Sequence, residues 1–176
     1  PFRLPVQWVN RPNLDFRGFA GVVTSGSIKP GDRIRAQPSG KESTVARIVT
    51  LDGDLPEAVA GQSITLTLAD EIDISRGGVI STATSPAEVA DQFEATLVWM
   101  TDEPMIPGRP YLLKIGAQTV SATITEPKYK VNVNTLEHLA AKKLDLNEIG
   151  VVNLALDRAI ALDAYTANRD TGGFIL

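Results

Sequence analysis

The chain has 176 residues, 43% of them hydrophobic, with 17 Lys plus Arg against 21 Asp plus Glu and a formal net charge of −4. That is enough apolar material for one largish or two small cores. The acidic balance argues against a phosphate-backbone binder, which carries a basic face. There are no cysteines and one histidine, so disulfide scaffolds, cysteine nucleophiles and zinc ribbons are excluded.

No stretch approaches the roughly 18 unbroken apolar residues of a membrane helix. The opening Pro1-Phe2-Arg3-Leu4-Pro5 has neither a Met nor the apolar run of a secretion signal, so a piece of a longer polypeptide is expected. The lack of cysteine fits a reducing compartment, and the cytoplasm is the expected location.

Along the chain the recurring signal is period-two alternation, which sends alternate side chains to one face of a strand. Thr44 to Leu51 alternates, with Val45, Val49 and Leu51 on one side although Arg47 falls among them. Ser63 to Leu68 is the cleanest case, with Ile64, Leu66 and Leu68 facing one way. Phe93, Ala95, Leu97 and Trp99 share a face, as do Tyr111, Leu113 and Ile115, then Val120, Ala122 and Ile124 beyond a Gly116-Ala117 hairpin turn. Turn residues punctuate these runs at short intervals: Ser25-Gly26, Pro30-Gly31-Asp32, Ser39-Gly40, Asp52-Gly53-Asp54, Pro107-Gly108 and Thr171-Gly172-Gly173. Many short strands with frequent turns predict an all-β chain of barrels or sandwiches. Leu136, Leu139 and Ala140 fall at helical spacing after the capping residue Asn134, and one short helix is predicted over 135–143. The small, polar stretch Thr82 to Asp91, interrupted by Pro86, is the expected joint between a domain at 1–84 and another at 90–176.

The chemistry-bearing motifs read as decoys. Gly40-Lys41 is the one approach to a phosphate-binding P-loop, but Arg35 stands in place of the first glycine and Glu42 in place of the hydroxyl. Asp15-Phe16-Arg17-Gly18 and Asp170-Thr171-Gly172-Gly173 both spell Asp-x-x-Gly and read as turns. His138 reads as a solvated residue of the predicted helix, since one imidazole makes no His-rich metal site and no Gly-x-Ser-x-Gly elbow offers a nucleophile. Asp70-Glu71 and Asp102-Glu103 are neighbours on strand ends, where adjacent side chains diverge, so they read as solvated. Trp8 and Trp99 read as core or interface anchors. No catalytic, cofactor-binding or metal-binding residue is expected in this chain.

The run from Gly21 to Asp32, Gly-Val-Val-Thr-Ser-Gly-Ser-Ile-Lys-Pro-Gly-Asp, resembles the second-domain signature of the elongation factor Tu class of GTPases. Gly26 and Gly31 suit tight turns, and Asp32 suits hydrogen bonding to nearby amides. Gly21 and Gly61 are taken as turn positions with them. Ala60-Gly61-Gln62 and Asp73-Ile74-Ser75-Arg76-Gly77 resemble the later strands of that barrel. Within the class, Val6 to Pro12, Asp15 to Gly18, Val131 to Glu137, Leu146 to Gly150 and Tyr165 to Leu176 resemble the large, GTP-hydrolysing subunit of sulfate adenylyltransferase.

The resemblance implies two consecutive small antiparallel β-barrels, like domains 2 and 3 of elongation factor Tu, with one short helix in the second. It implies a parent that binds GTP and Mg in a preceding domain and partners a small catalytic subunit. That enzyme makes adenosine 5′-phosphosulfate and pyrophosphate from ATP and sulfate. Some relatives carry a fused adenylylsulfate kinase domain downstream. The barrels would couple the GTPase domain to the small subunit while being inactive alone. Arg11, Asp15, Phe16 and Arg17 are the candidate inter-domain contact, an apolar anchor rimmed by charge; the other reading of the same segment is a loop that only closes the barrel. Two other readings exist: an RNA-binding barrel pair of a translation GTPase, and a free-standing barrel enzyme holding flavin or another small cofactor.

Overall fold

A computed structural model describes all residues, 1–176. In chain order the strands are β1 (Arg3–Pro5), β2 (Trp8–Asn13), β3 (Phe16–Val22), β4 (Ser27–Ile28), β5 (Arg33–Gln37), β6 (Lys41–Thr50), β7 (Gly53–Asp54), β8 (Ala58–Val59), β9 (Ser63–Leu68) and β10 (Val79–Thr82). There follow β11 (Glu88–Val98), β12 (Pro110–Ile115), β13 (Gln118–Ile124), β14 (Tyr129–Val131), β15 (His138–Leu139), β16 (Ile149–Leu162) and the helix α1 (Arg169–Gly172). The chain is all-β apart from that single helical turn.

Two compact units emerge. The first comprises residues 1–89 with 114–118 and 160–175. Its main sheet runs β1-β10-β5-β6-β9-β3-β2, with β7 on β6 and a small β4-β8 pair apart from it. The sheet curls until its ends meet. Arg3 bridges to Ser25, just past β3, and Gln7 N donates to Ala20 O at 2.9 Å. Closure of this kind removes unpaired strand edges. Phe2, Leu4, Phe19, Ile34, Ile48, Leu66 and Ile80 fill the interior, all essentially buried.

Ile64 and Leu66 face inward on β9 as the alternation requires, but β6 departs from its predicted phase. Its register against β9 shifts between Val45 and Arg47. A bulge inserts one residue and exchanges the two faces. The inward positions become Val45 and Ile48, Val49 is half-buried and Leu51 is fully exposed in the turn beyond β6. Gly21 is also not a turn. It lies within β3 opposite Ile64, and a Cβ there would stand 2.3 Å from Pro5 O. Glycine is needed for close strand approach.

The second unit comprises residues 90–113, 119–159 and 176. The sheet to which its strands belong runs β12-β13-β16-β14-β15, with β11 also on β16. Leu97, Trp99, Leu113, Ile115, Val120, Ala122 and Ile124 are buried on the expected alternating positions, Phe93, Ala95 and Tyr111 are half-buried, and Val152 and Leu154 of β16 are buried as well. The predicted helix over 135–143 is absent. Asn132 Oδ1 accepts from the amides of Asn134 and Thr135, closing an Asx turn, and Leu136 follows in the left-handed region at φ 61°. The chain then reverses into β15, where His138 pairs with Val131 and Leu139 with Lys130. Leu136, Leu139 and Ala140 are all exposed, so no core rewards their helical spacing. The helix that does form, α1, lies on a segment read as a turn. Asn168 caps it by accepting from the amides of Asp170 and Thr171.

Candidate functional site

The candidate contact residues lie on the β2–β3 ribbon. β2 is the last strand of its sheet, which tolerates Pro12, and its register against β3 shifts between Asn10 and Asn13. The turn at Leu14-Asp15 is shaped by Asn13 Oδ1, which accepts from Asp15 N at 2.9 Å. Gly18 lies opposite Asn10, and a Cβ on it would come within 2.3 Å of Thr65 Cγ2. The ribbon is therefore held close to β9. Leu14 is left 85% exposed at the tip.

The structure separates the four residues into two roles. Arg17 is turned to the barrel. Its Nη2 donates to Asp73 Oδ1 at 2.8 Å, and its guanidinium carbon lies 5.7 Å from the centre of the Phe19 ring. The hydrogen bond from Arg17, with its charge, holds the Asp73 carboxyl below the usual carboxylate range, and Lys41 and Arg11 add smaller effects in the same direction. Arg11 and Asp15 remain exposed, and Phe16 is half-buried. Beside them opens a cleft of about 220 Å³ walled by Leu14, Asp15, Phe16, Arg17, Phe19, Arg47, Thr67, Leu68, Asp70, Glu71 and Ile72. Arg47 is held by Asp54 through two bonds of 2.8 and 2.9 Å, which keep the Asp54 carboxyl below its ordinary value.

Other residues singled out by pattern have structural tasks. Gly26, Gly31 and Gly61 adopt positive φ at bends or turns, and Asp32 Oδ2 accepts from Lys29 N at 2.9 Å. Ser39-Gly40 closes the β5–β6 hairpin through Gly40 N donating to Ala36 O. Its amides do not wrap a phosphate, and these residues do not fit a guanine nucleotide with magnesium. Trp99 is buried, donates from Nε1 to Glu103 O at 2.7 Å and meets the Tyr111 ring edge-on. Trp8 is not a core anchor, being 61% exposed. His138 is an exposed strand residue whose ring stacks on Tyr129 with centroids 3.8 Å apart. No three His, Asp or Glu side chains gather in a geometry able to hold a metal ion.

One cluster had no signal in the sequence. Arg3, 4% exposed, meets Asp163 with Nε to Oδ2 at 2.9 Å and Nη2 to Oδ1 at 3.2 Å. Its Nη1 donates to the carbonyls of Phe2 and Ser85. Thr171 Oγ1 donates to Asp163 Oδ2 at 2.7 Å, and Asn168 Nδ2 donates to Ser25 Oγ at 3.0 Å. The partners lie 160 residues apart, beyond the reach of any local pattern.

Residues 20–81 match the family model for elongation factor Tu domain 2, and residues 92–176 match the GTP-eEF1A C-terminal domain-like family. Sulfate adenylyltransferase subunit 1 of Aliivibrio salmonicida (strain LFI1238) is 55% identical over 174 residues, covering 99% of this chain and 36% of its own. The chain belongs to the sulfate adenylyltransferase subunit 1 family. Subunit 1 of Methylorubrum extorquens (strain PA1) is 51% identical over 99% of this chain and 37% of its own. The bifunctional enzyme NodQ of Rhizobium sp. (strain N33) is 52% identical over all of this chain and 27% of its own. The chain thus spans about a quarter to two fifths of the length of these relatives. A crystal structure of sup35 complexed with GDP superposes with a TM-score of 0.87 at 14% identity, covering 99% of this chain and 43% of that one. That likeness concerns the fold alone.

Proposed function

We propose that this chain is the pair of barrel domains of a GTP-hydrolysing subunit 1 of sulfate adenylyltransferase. The first barrel is taken as residues 1–84 and the second as 90–176. The carrying observation is the 55% identity to a subunit 1 along nearly the whole chain. In this reading GTP and Mg are held by a domain outside these residues, and a small catalytic subunit joins sulfate to ATP. The products are adenosine 5′-phosphosulfate and pyrophosphate, and the enzyme works in the cytoplasm.

The barrels act by transmission. Coupling requires that nucleotide state change a contact elsewhere through different interactions with two conformations. A closed barrel held by its sheet moves as one piece, which suits a part displaced by a switching domain. The β2–β3 ribbon offers the contact: Arg11 and Leu14 project outward, while Arg17 and Asp73 hold the ribbon to the barrel. The test is adenosine phosphosulfate formation by the full-length protein with its small subunit, with and without GTP. GTP-stimulated synthesis that falls on Arg11→Ala is the expected result. No synthesis by the intact pair would overturn the family function, and an unchanged Arg11→Ala rate would overturn the contact.

A further inference from the structure

Residues 1–3 are bonded into the first unit along their whole length. Every backbone polar group from the Pro1 carbonyl to the Arg3 carbonyl is engaged. Ser25 Oγ donates to Pro1 O at 2.6 Å, Phe2 N to Thr82 Oγ1 at 3.1 Å and Thr82 N to Phe2 O at 3.3 Å. Arg3 N donates to Ser25 O at 3.2 Å and Thr24 N to Arg3 O at 3.0 Å. Segment 163–171 of the same unit closes on this root. Asp163 accepts both Arg3 bonds and the Thr171 hydroxyl, Asp163 N donates to Thr171 O at 3.3 Å, and Asn168 Nδ2 reaches Thr24 Oγ1 and Ser25 Oγ. Residues 1–3, 24–25 and 163–171 are thereby one bonded block.

A buried ion pair is not needed to fasten a chain segment, since a well-packed apolar pair of similar volume is as stable or more so. What Arg3 and Asp163 add is direction. Two parallel bonds hold guanidinium and carboxylate in one register, whereas an apolar contact can slide. Resting on the function proposed above, with the GTP-binding domain joined ahead of Pro1, we infer that the Arg3–Asp163 pair is a coupling joint that carries the change of nucleotide state from residues 1–3 to residues 163–171. A displacement delivered at Pro1 cannot be absorbed within residues 1–3, whose backbone is pinned, so it moves the segment that the guanidinium grips. Arg3 and Asp163 are positioning residues in this role.

The experiment uses the full-length subunit in complex with its small subunit, loaded with GDP or with a non-hydrolysable GTP analogue, and reads amide hydrogen exchange by peptide. In the parent, exchange is expected to differ between the two nucleotide states by about twofold or more in peptides covering both 1–4 and 163–171. In Arg3→Met/Asp163→Leu the difference is expected to remain at 1–4 and to vanish at 163–171. The GTP hydrolysed per adenosine phosphosulfate formed is expected to rise about fivefold or more in that variant, a ratio that a purely structural pair would leave unchanged. Arg3→Lys, which keeps the charge and loses the fork, should fall between the two. A parent whose segment 163–171 ignores nucleotide state overturns the inference, whether or not the double variant folds. So does a folded double variant in which both segments still respond, or in which the ratio is unchanged. A parent complex that makes adenosine phosphosulfate under GTP with 163–171 silent refutes the joint and leaves the family function standing, whereas no synthesis by the parent overturns that function and the joint with it.

Discussion

Replacing Arg3 by alanine removes four donor contacts at once and strands the Asp163 carboxylate with the Thr171 hydroxyl as its remaining partner. Two of the lost contacts are the bidentate pair, and two satisfied the Phe2 and Ser85 carbonyls. Arg3 is 4% exposed and Asp163 11%, so water cannot replace what is lost. Breaking a buried pair by deleting one member costs about 3–5 kcal/mol. With a urea slope of about 2 kcal/mol per molar, the midpoint should fall by about 1.5–2.5 M. The assay is a urea titration by circular dichroism, paired with hydrogen exchange of peptides from β1 and β10 so that loss is assigned to the first unit. The double variant Arg3→Met/Asp163→Leu should recover most of the loss, because no lone charge remains and the apolar pair fills similar volume. A single variant within about 0.5 kcal/mol of the parent, a value suited to an exposed pair, would refute the reasoning. So would a double variant as damaged as the single.

Gly21→Ala should destabilise the first barrel by about 1–3 kcal/mol, since its new methyl meets the Pro5 carbonyl, a backbone atom that cannot rotate aside; thermal melting reads this. Leu136→Asn should stabilise by about 0.5–1 kcal/mol, because Leu136 is exposed at φ 61° and asparagine tolerates the left-handed region; the same melt checks it. The Glu148 carboxyl is held below its ordinary value, first by the hydrogen bond from Lys130 Nζ at 2.6 Å and then by that from Asp145 N. A carboxylate so depressed contributes stability above its unfolded value of about 4.3, and the contribution is lost as pH falls through the lower folded value. Melting temperature against pH should therefore fall less steeply on acidification in Glu148→Gln than in the parent.

The all-β architecture was legible because inward alternation is a local property. Ile64 and Leu66 on β9, and Val120, Ala122 and Ile124 on β13, each report their burial through their neighbours. β6 misled for the opposite reason: a bulge at Val45–Arg47 changes phase without any glycine or proline to mark it. The helix expected over 135–143 rested on the spacing of Leu136, Leu139 and Ala140, a pattern with meaning only where a core receives it. Asn132, whose carboxamide closes the turn, was the local signal that outweighed it. At the candidate site the turn read over Asp15-Phe16-Arg17-Gly18 falls on Leu14 and Asp15, and Phe16, Arg17 and Gly18 already belong to β3. The engagement of Arg17 with Asp73 was not legible, as it joins residues 56 apart. Asp70 and Glu71 were read as solvated and lie on the cleft lining, brought there by the exit of β9.

The compact body that begins the chain includes Asp163, Asn168 and Thr171 from its far end. A gene truncated at the composition break after residue 84 would yield a polypeptide whose Arg3 has lost both Asp163 and the Ser85 carbonyl, and whose first unit lacks the 160–175 segment that packs on it. Its poor recovery would then reflect the cut and say nothing about the autonomy of the barrel, so any dissection of this protein should carry its final seventeen residues along with its first.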